Sequence, residues 1–487
     1  MPGATYRFGR FTLDIPRGLL LGPDGAVALR PKSFALLQLL ARNPDRLLSH
    51  DEIASTVWPE TTATDESIVQ CVRDIRRVLG ADANTLIRTL PRRGYVLVSA
   101  VPPEATADRP MLEVQPVAPV PDTAAGRALA ESLTEEVMTD LIRRRAVLIA
   151  AGPDGQTRYR LYGSIRTEGD RVLIHIRLID RDITAHIWST RFDRHRDELA
   201  ALQPSLAREI ARAAEQAIAA AERRHALHGA VEAFGPWRLY QRGLWHSWRC
   251  TPADNAEARR LFQRAIEADP AFAAGHAALA MTYLYDGFIY DFAPGSDSLA
   301  RAMAMANTAV RLDPEDATVR ATQGMLTFVT GDIRAAWDQT SLAMAQAEDL
   351  AWARSVGGLV KLYAGYPSEG RSLLLQAQRI APHDVHEGIT VSQTVISYYY
   401  DREYKQAVMA AQAGIARYPA YPLTHRWLAA ALAQLGQKQE ARDALRQAQA
   451  VSRQSFLGYV RKRPSWFRLE NHEHMLDGLR KAGWRAP

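Results

Sequence analysis

The sequence predicts a multidomain α+β protein: a small domain of helices and short strands, then a small α/β domain, then an all-α solenoid. Three observations predict it. Residues 1–101 combine strand-like and helical patterns and end near a basic turn, and long runs from residue 159 alternate apolar and polar side chains. From residue 234 the sequence repeats at close to the length of a helical-hairpin unit. A chain of 487 residues has room for these parts at roughly 150 residues per domain.

The amino-terminal segment has a definite order of elements. In chain order, they are strands over 6–14, 19–21 and 27–29, helices near Pro31, after Ser49 and near Asp65, and strands over 86–90 and 92–96. Ser49 is the expected N-cap of the second helix, because a serine hydroxyl can accept a hydrogen bond from the first turn. We therefore expect three helices packed against small sheets.

The third helix has two distinct faces. Its apolar stripe is made by Ile68, Val72, Ile75 and Leu79. The side chains off that stripe are Gln70, Arg73, Arg76 and Arg77. Arginine and glutamine can make paired hydrogen bonds to guanine or adenine edges in the major groove of DNA. The second face is therefore predicted to read DNA.

The charge around this helix fits a nucleic-acid partner. From Ile68 to Arg93 the sequence holds six arginines and only two acidic residues. Arg92 and Arg93 stand at the turn between the last two strands, with Thr89 just before it, and are predicted to contact the DNA backbone or minor groove. A solvated arginine face is the alternative for the helix taken alone. It does not account for the ordered elements around that helix.

Together these elements resemble the winged helix-turn-helix of OmpR/PhoB-type transcriptional regulators, over nearly all of the first hundred residues. The resemblance implies a sequence-specific regulator that binds double-stranded promoter DNA. It also implies that Trp58, Glu60 and Thr62, between the second and third helices, contact RNA polymerase. No phosphoacceptor domain precedes the motif, so we expect any signal to act through the residues that follow.

Residues 102–122 are predicted to form an extended, proline-rich linker, in which Met111 to Val114 could still form a short strand. Residues 123–228 are predicted to form the α/β domain. Its runs Ser132-Leu133-Thr134-Glu135-Glu136, Tyr162-Gly163-Ser164-Ile165 and Ile187-Trp188-Ser189-Thr190-Arg191-Phe192-Asp193 resemble a TolB amino-terminal-type domain. A helix usual in that pattern is shortened here to 152–155, so a structural or dimerising role is favoured over a ligand cleft.

Residues 234–450 are predicted to form about six tetratricopeptide repeats, each close to 34 residues long. Small residues recur at spacings of 7, 5 and 7, where hairpin helices must approach closely; three such sets begin at Gly324, Gly358 and Ala429. The stretch from Asp286 to Asp297 is predicted to be an inserted loop, and 451–487 to form capping helices. The repeat length and these spacings resemble those of the tetratricopeptide family.

A helical array of this kind offers a surface for a peptide or a partner protein. Candidate lining residues are Trp245, Trp248, Tyr283 and Tyr398. Packing between hairpins is the more common use of such aromatic residues. The histidine pairs lack a third ligand and are predicted to be surface residues rather than a metal site; they are His225/His228, His383/His386 and His472/His474.

Composition excludes several classes of protein. No run of 18 apolar residues is present, and no secretory signal pattern begins the chain, so we expect a cytoplasmic protein without a membrane span. Cys71 and Cys250 are too few for a disulfide framework, and a buried structural role is favoured for Cys71 over a redox switch. No phosphate-binding loop or paired metal carboxylates are recognisable, so no cofactor and no enzyme activity are predicted.

The function predicted from sequence is that of a one-component transcriptional regulator. Its carboxy-terminal domains would sense a signal, bind a partner or form a homodimer that presents two DNA-binding domains to paired half-sites. Analogy favours an activator over a repressor. The alternative is a tetratricopeptide scaffold or adaptor with a secondary DNA contact.

Overall fold

The structure is a computed structural model. It describes residues 5–8, 11–15, 17–22, 25–27, 29–43, 46–59, 65–80, 83–90, 93–97, 109–144, 147–150, 157–228, 231, 234–291, 297–382 and 384–485. The chain divides into two compact units, Met1–Glu222 and Arg223–Pro487.

The first unit begins with three principal helices and two small sheets. The elements are β1 (Thr5–Phe8), β2 (Phe11–Asp14), β3 (Leu19–Gly22), β4 (Gly25–Val27), α1 (Pro31–Arg42), α2 (His50–Val57), α3 (Asp65–Leu79), α4 (Ala83–Leu86), β5 (Ile87–Leu90) and β6 (Gly94–Leu97). Strands β1 to β4 pair antiparallel in chain order, and β5 pairs with β6. The predicted N-cap is confirmed, because Ser49 Oγ accepts a hydrogen bond from the Glu52 amide at 3.2 Å.

One apolar core holds these elements together. Leu36, Leu37 and Leu40 of α1 pack with Ile53 of α2 and the apolar stripe of α3 in a single buried cluster. Leu13 of β2 reaches the same core and is fully buried. The burial of one face on each helix is the pattern that an amphipathic helix requires, and it leaves the opposite face of α3 free for another role.

A third, six-stranded sheet forms the middle of the first unit. Its elements are β7 (Met111–Val114), β8 (Ala118–Val120), α5 (Ala124–Arg144), β9 (Leu148–Ile149), β10 (Tyr159–Glu168), β11 (Arg171–Asp180), β12 (Ala185–His195) and α6 (Arg196–Ala226). The strand order is β12-β11-β10-β7-β9, and β8 also pairs with β10. The three long strands agree with the alternating runs that the sequence analysis finds from residue 159.

The segment predicted as a linker contributes strands to this sheet. Strands β7 and β8 both pair parallel with β10, with Leu112 opposite Tyr159 and Pro119 opposite Ile165. The prediction of an extended linker over 102–122 is therefore wrong for 111–120, although the alternative of a short strand at Met111 is confirmed. Pairing with β10 gives hydrogen-bond partners to backbone N–H and C=O groups of this proline-containing segment.

A network of charged side chains closes one end of the sheet. The Arg158 guanidinium donates to Asp180 Oδ2 at 3.0 Å and to Glu222 Oε1 at 3.1 Å. The Tyr159 hydroxyl donates to the same Glu222 oxygen at 2.7 Å. All four side chains are largely withdrawn from solvent, and each charge has an opposite partner, as burial of charge requires.

In the second unit, twelve of the described helices pair as six hairpins, which matches the predicted number of repeats. The pairs are α7 (Pro236–Trp248) with α8 (Pro252–Ala268), α9 (Ala273–Leu284) with α10 (Ser298–Leu312), α11 (Ala317–Thr330) with α12 (Ile333–Gln346), α13 (Ala351–Ala364) with α14 (Pro367–Ile380), α15 (Glu387–Tyr400) with α16 (Tyr404–Arg417), and α17 (Pro422–Gln434) with α18 (Lys438–Val451). From α9 onward the first helices of successive hairpins also contact one another, so they share one face of the array.

The small residues lie where the sequence analysis expects close approach. A Cβ added to Gly358 of α13 would lie 2.7 Å from the Gly370 carbonyl oxygen of α14. The reverse substitution at Gly370 would bring a Cβ within 2.5 Å of the Gly358 oxygen. This pair of helices therefore packs backbone to backbone.

The predicted inserted loop is wrong over its first part. Residues Tyr285–Tyr290 continue α9 as a π-helical segment, and Phe288, Ile289 and Tyr290 are buried. Burial of these apolar side chains against the array explains why the chain stays helical there. Residues 292–296 lie outside the described residues.

The carboxy-terminal helices α19 (Arg453–Arg461) and α20 (Leu469–Lys481) pack against the face shared by the first helices. The Tyr459 hydroxyl donates to the Phe288 carbonyl at 2.9 Å, and Ser452 Oγ donates to the Tyr290 carbonyl at 2.7 Å. The Tyr399 hydroxyl donates to the His474 carbonyl at 2.8 Å. The chain's own end therefore covers much of the surface that the sequence analysis assigns to a partner.

Candidate nucleic-acid interface

The buried side of α3 is the predicted apolar stripe. Ile68, Val72, Ile75 and Leu79 are all almost completely buried. They pack against α1 and α2 in the core of the amino-terminal domain. The stripe therefore sets the rotation of α3, and with it the set of side chains that face away from the domain.

The outward side of α3 presents a polar row. Gln70, Arg73 and Arg77 follow one another at spacings of three and four residues and are exposed. Arg73 forms no hydrogen bond or ion pair with any residue that the structure describes. Such a row has the donors and the length to meet base edges in a major groove.

Asp74 organises this row, a role that the sequence analysis does not assign. Its carboxylate accepts from Arg77 Nη2 at 2.7 Å and from Gln70 Nε2 at 3.2 Å. Ser33 of α1 donates to the second oxygen at 3.4 Å, and Asp74 is 7% exposed. The signal in the sequence is a single acid set among the arginines of α3, four residues after Gln70.

Arg76 has a different environment from the other arginines of α3. Its Nη2 donates to the Ile87 carbonyl at 2.7 Å and to the Thr89 hydroxyl at 2.9 Å. It therefore joins α3 to strand β5, and the exposed Thr89 serves as its acceptor. The structure therefore places Arg76 and Thr89, both predicted to contact DNA, in a hydrogen-bonded link between α3 and β5 and not in the outward row.

The hairpin of β5 and β6 is fastened to the rest of the domain at Gly94. The Leu48 and Tyr95 backbones exchange two hydrogen bonds of 3.0 Å. Gly94 has a φ of 136°, and a Cβ there would lie 1.8 Å from the Leu48 oxygen. Only glycine fits this approach, which fixes the start of β6 against Leu48, just before α2.

The turn itself meets the middle sheet domain. Arg93 Nη1 lies 3.4 Å from the Thr139 hydroxyl of α5, and the Arg88 side chain donates to the Ile149 carbonyl. Burial raises the pKa of the nearby Glu136 carboxyl, and the charge of Arg93 opposes that rise. Arg93 therefore has an intramolecular neighbour at the position predicted to contact DNA. Arg92 lies outside the described residues.

Of the predicted polymerase-contact residues, only Trp58 lies within the described residues. It caps the end of α2, is half-buried, and has the Lys32 ammonium 5.6 Å from its ring centroid. Glu60 and Thr62 lie outside the described residues.

The four aromatic residues predicted to line a groove do not form one cluster. Trp245 lies under the Arg249 guanidinium, Trp248 meets the edge of Tyr418, Tyr283 lies between Arg259 and Arg301, and Tyr398 lies 4.4 Å from the Arg371 guanidinium carbon. Among the residues that the structure describes, no ring contact joins the four to one another. The structure does not bring them together as one site.

A different surface of the repeats forms an open groove with a volume of about 720 Å³. Its walls come from α18, α19 and the residues after α20. They carry five arginines: Arg442, Arg446, Arg453, Arg461 and Arg485. Trp484 and Leu457 supply apolar surface, and none of the described residues that line the groove is acidic, although Arg446 is ion-paired to Asp443 of the same helix. We name this the arginine groove.

The cysteines and histidines occupy structural positions. Burial raises the pKa of the Cys71 thiol on α3. The prediction of surface histidines is wrong for His472, which is 5% exposed and hydrogen-bonded to the Tyr459 carbonyl at 2.9 Å. Within the described ranges, no group of three metal-ligating side chains comes together. None of the described helices is long and apolar enough to span a membrane.

The amino-terminal domain matches a known family. The family model "Transcriptional regulatory protein, C terminal" matches residues 24–97. The chain is 34% identical over 92 residues to the transcriptional regulatory protein TrcR of Mycobacterium tuberculosis (19% of this chain, 36% of TrcR). It is 27% identical over 136 residues to the transcriptional regulator HilA of Salmonella typhi (28% and 23%). The amino-terminal domain is therefore a winged helix-turn-helix of the OmpR/PhoB type.

Other similarities extend further along the chain. It is 28% identical over 235 residues to a Rhizobium meliloti protein named "Putative adenylate cyclase 3" (44% of this chain, 40% of that one). The chain thus spans less than half the length of each of these three relatives. The tetratricopeptide protein YrrB superposes with a TM-score of 0.27 at 18% identity, covering 40% of this chain and 95% of YrrB. The repeat architecture rests on the helix pairing of this chain itself.

Proposed function

We propose that this protein is a DNA-binding transcriptional regulator whose α3 enters the major groove of promoter DNA. The observation that carries the proposal is the outward row of α3, in which Arg73 is exposed and has no partner in the described chain while the opposite face is buried. The family match to a transcriptional regulatory domain and the two regulator relatives support it.

The roles within the site differ from residue to residue. Arg73 is proposed as the principal base-reading side chain, because no intramolecular acceptor competes for its guanidinium. Gln70 and Arg77 are proposed to act from positions held by Asp74. Arg76 is proposed to position the hairpin rather than to read a base, since its hydrogen bonds to the Ile87 carbonyl and the Thr89 hydroxyl both lead to β5.

The test is genome-wide mapping of the DNA bound by the full chain in its host, followed by binding of a recovered site in vitro. We expect discrete sites that share a half-site. We expect Arg73→Ala to weaken binding to such a site by about 5- to 150-fold, the equivalent of about 1–3 kcal/mol for a base-reading arginine. The matched control is Arg166→Ala, which removes an exposed arginine of the middle sheet.

Either of two results would reject the proposal. One is diffuse binding without a shared site. The other is an Arg73→Ala chain that binds a recovered site as tightly as the Arg166→Ala control, because then the outward row of α3 does not read DNA.

Several further predictions from the sequence belong to this proposal. We propose a regulator in the cytoplasm without catalytic activity, for which the match to a regulatory domain is the support. Activation of transcription, contact of the Trp58 loop with RNA polymerase, a homodimer and the TolB-like assignment of the middle domain stay predictions. Sedimentation of the full chain tests the dimer.

The arginine groove favours a second candidate function, that of an adaptor for an acidic protein segment. The five arginines, of which Arg446 is already ion-paired to Asp443, would attract acidic side chains, and Trp484 and Leu457 would cover apolar ones. If the protein is such an adaptor, a chain with both Arg442→Ala and Arg453→Ala should lose its function in the host. A chain with Arg73→Ala should keep that function. The opposite pattern supports the DNA-binding regulator.

A further inference from the structure

The long strand β12 forms one edge of the six-stranded sheet. It has eleven residues and pairs antiparallel with β11, and it pairs with no other strand that the structure describes. From Trp188 to His195 this pairing runs without a break, because the irregularity in register lies before Trp188. Alternate residues of an edge strand point their backbone N–H and C=O groups away from the sheet. β12 therefore presents a regular row of backbone donors and acceptors along its outer side.

The opposite edge of the same sheet is protected. It consists of β8 and β9, with three and two residues, and β8 contains Pro119. The Arg88 side chain also donates to the Ile149 carbonyl of β9. Short strands and prolines are devices by which proteins keep a sheet edge from pairing with another chain. β12 is long and contains no proline, so its edge lacks both devices.

The two faces of β12 carry different side chains. Phe192 is buried in the cluster that α5 and α6 form with the sheet. Because side chains alternate along a strand, Arg191 and Asp193 lie on the face opposite these helices. Arg191 is exposed and forms no hydrogen bond or ion pair with any described residue, whereas Asp193 pairs with Arg171 of β11 at 2.7 Å. The edge of the sheet therefore carries opposite charges two residues apart on one face.

We propose that β12 is a dimer interface, at which it pairs antiparallel with β12 of a second copy of this chain in a register centred on Phe192. This inference rests on the proposed function, whose homodimer it gives an interface, but it concerns the middle sheet alone.

The charges of β12 match a second copy of the same strand. In a two-fold antiparallel pairing, the residues on either side of the central one face each other across the dimer. Centring on Phe192 places Arg191 of each chain opposite Asp193 of the other, so two opposite-charge pairs form. Centring on Arg191 or on Asp193 would set like charges against each other, and centring on Thr190 would set Arg191 against Ser189. The charge pattern therefore selects the register centred on Phe192.

The pairing would join the two middle sheets into one continuous sheet. Residues 189 to 195 of the two strands would lie opposite one another, and alternate residues would exchange backbone hydrogen bonds with the other chain. The two Phe192 rings would meet on the face that the helices cover. Two strand edges make a smaller interface than the standard size, so we expect a dissociation constant of about 1–100 µM.

The test is sedimentation equilibrium of the full chain, without DNA, over concentrations that span this constant. We expect a reversible equilibrium between monomer and dimer. Arg191→Glu replaces two attractive contacts by two repulsive ones and should raise the dissociation constant about 10-fold. Because Arg191 has no partner among the described residues, circular dichroism should show an unchanged fold.

A mixture of two variants tests the register itself. Asp193→Lys should also weaken the dimer, and its exposed ion pair with Arg171 should be lost at little cost in stability. In a mixed dimer of Arg191→Glu with Asp193→Lys, the two substituted side chains face each other, and so do the two native ones. Both contacts are then attractive, so the mixture should associate about as strongly as the wild type.

The matched control is Arg166→Glu, which reverses the charge of an exposed arginine on β10, away from the edge, and should leave the dissociation constant unchanged. The inference is overturned if the wild-type chain stays monomeric at concentrations above the expected constant, or if Arg191→Glu dissociates no more readily than the control. It is also overturned if the mixture associates no better than either variant alone, because Arg191 and Asp193 then do not face each other.

These outcomes are separate from those of the DNA-binding test. A monomeric chain that still binds a recovered site through Arg73 overturns the interface and leaves the DNA-binding function in place. A dimer with the expected charge dependence that binds no shared site has the opposite meaning.

Discussion

The two units of this protein bury an arginine in opposite ways. In the first unit, Arg158 is 16% exposed and pairs with Asp180 and Glu222, two carboxylates that are themselves buried. In the second unit, Arg426 is more deeply buried, and the described residues that its guanidinium faces contribute aromatic rings and tyrosine hydroxyls. The paired arginine closes a network within the fold, whereas the unpaired one leaves a positive charge directed at a cavity. The effect of burying an arginine therefore differs between the two units, and it depends on whether a buried carboxylate lies beside the guanidinium.

The largest effect should come from breaking the paired network. Arg158→Met removes from the buried carboxylates of Asp180 and Glu222 the guanidinium that both contact, so the free energy of unfolding of the first unit should fall by about 3–5 kcal/mol. Hydrogen exchange of peptides from β10 and β11 in urea measures this. The matched variant is Arg426→Met, which leaves no buried carboxylate behind and should be neutral or stabilising. Equal losses in the two variants would contradict the comparison.

The same contrast occurs within α3. Arg76→Met removes hydrogen bonds to the Ile87 carbonyl and Thr89 and should destabilise the amino-terminal domain by about 1–3 kcal/mol. Arg73→Met removes an exposed side chain without a partner and should change stability by less than about 0.5 kcal/mol. Chemical denaturation followed by circular dichroism measures both. A larger fall in the free energy of unfolding for Arg73→Met would contradict the exposed, unpartnered position of Arg73.

The second unit should be the more sensitive to mild acid. Burial lowers the pKa of His472 and of His425 below the ordinary 6.5. The unfolded chain therefore binds more protons than the folded chain as the pH falls below 6.5. The stability contributed by these neutral histidines is present above that pH and is lost as the pH falls through their folded values, by up to about 1.4 kcal/mol per pH unit for each.

Urea midpoints between pH 7.5 and 5 measure this loss by tryptophan fluorescence, since Trp58 and Trp188 are the only tryptophans outside the second unit. The control is a His472→Gln, His425→Gln chain, which should lose the part of the pH dependence that these two histidines contribute, while His386 and His474, whose pKa values burial also lowers, keep theirs. A wild-type chain whose midpoint is constant over this range would contradict the burial of the two histidines.

The smallest effect concerns the turn at Arg93. Thr139→Val removes the hydroxyl that lies 3.4 Å from the Arg93 guanidinium. If this contact competes with DNA, the variant should bind a recovered site about two- to ten-fold more tightly, the equivalent of one net hydrogen bond. Fluorescence anisotropy with labelled DNA measures the change. A Thr134→Val variant on the same helix is the control, and equal affinity of all three chains would rule out competition.

Local patterns in the sequence were enough for the periodic elements. The apolar stripe of α3, the Ser49 cap and the six helical hairpins follow from residue spacings within one helix or one repeat, because the burial of one helix face and the filling of a cap are local requirements. The same spacings located the outward row of α3. The residue types there predict a DNA-binding role when they are taken with the ordered elements around α3, because arginine and glutamine can pair with base edges.

Contacts between residues distant in sequence account for what the patterns missed. Arg76 meets a carbonyl eleven residues away, β8 pairs with a strand more than forty residues later, and Tyr459 reaches the Phe288 carbonyl across 171 positions. A spacing rule contains no information about which acceptor or strand edge will be nearby after folding. The unpaired state of Arg426 has the same origin: its sequence neighbours resemble those of any helix, and only packing of five helices and the carboxy-terminal segment removes water and carboxylates from around it.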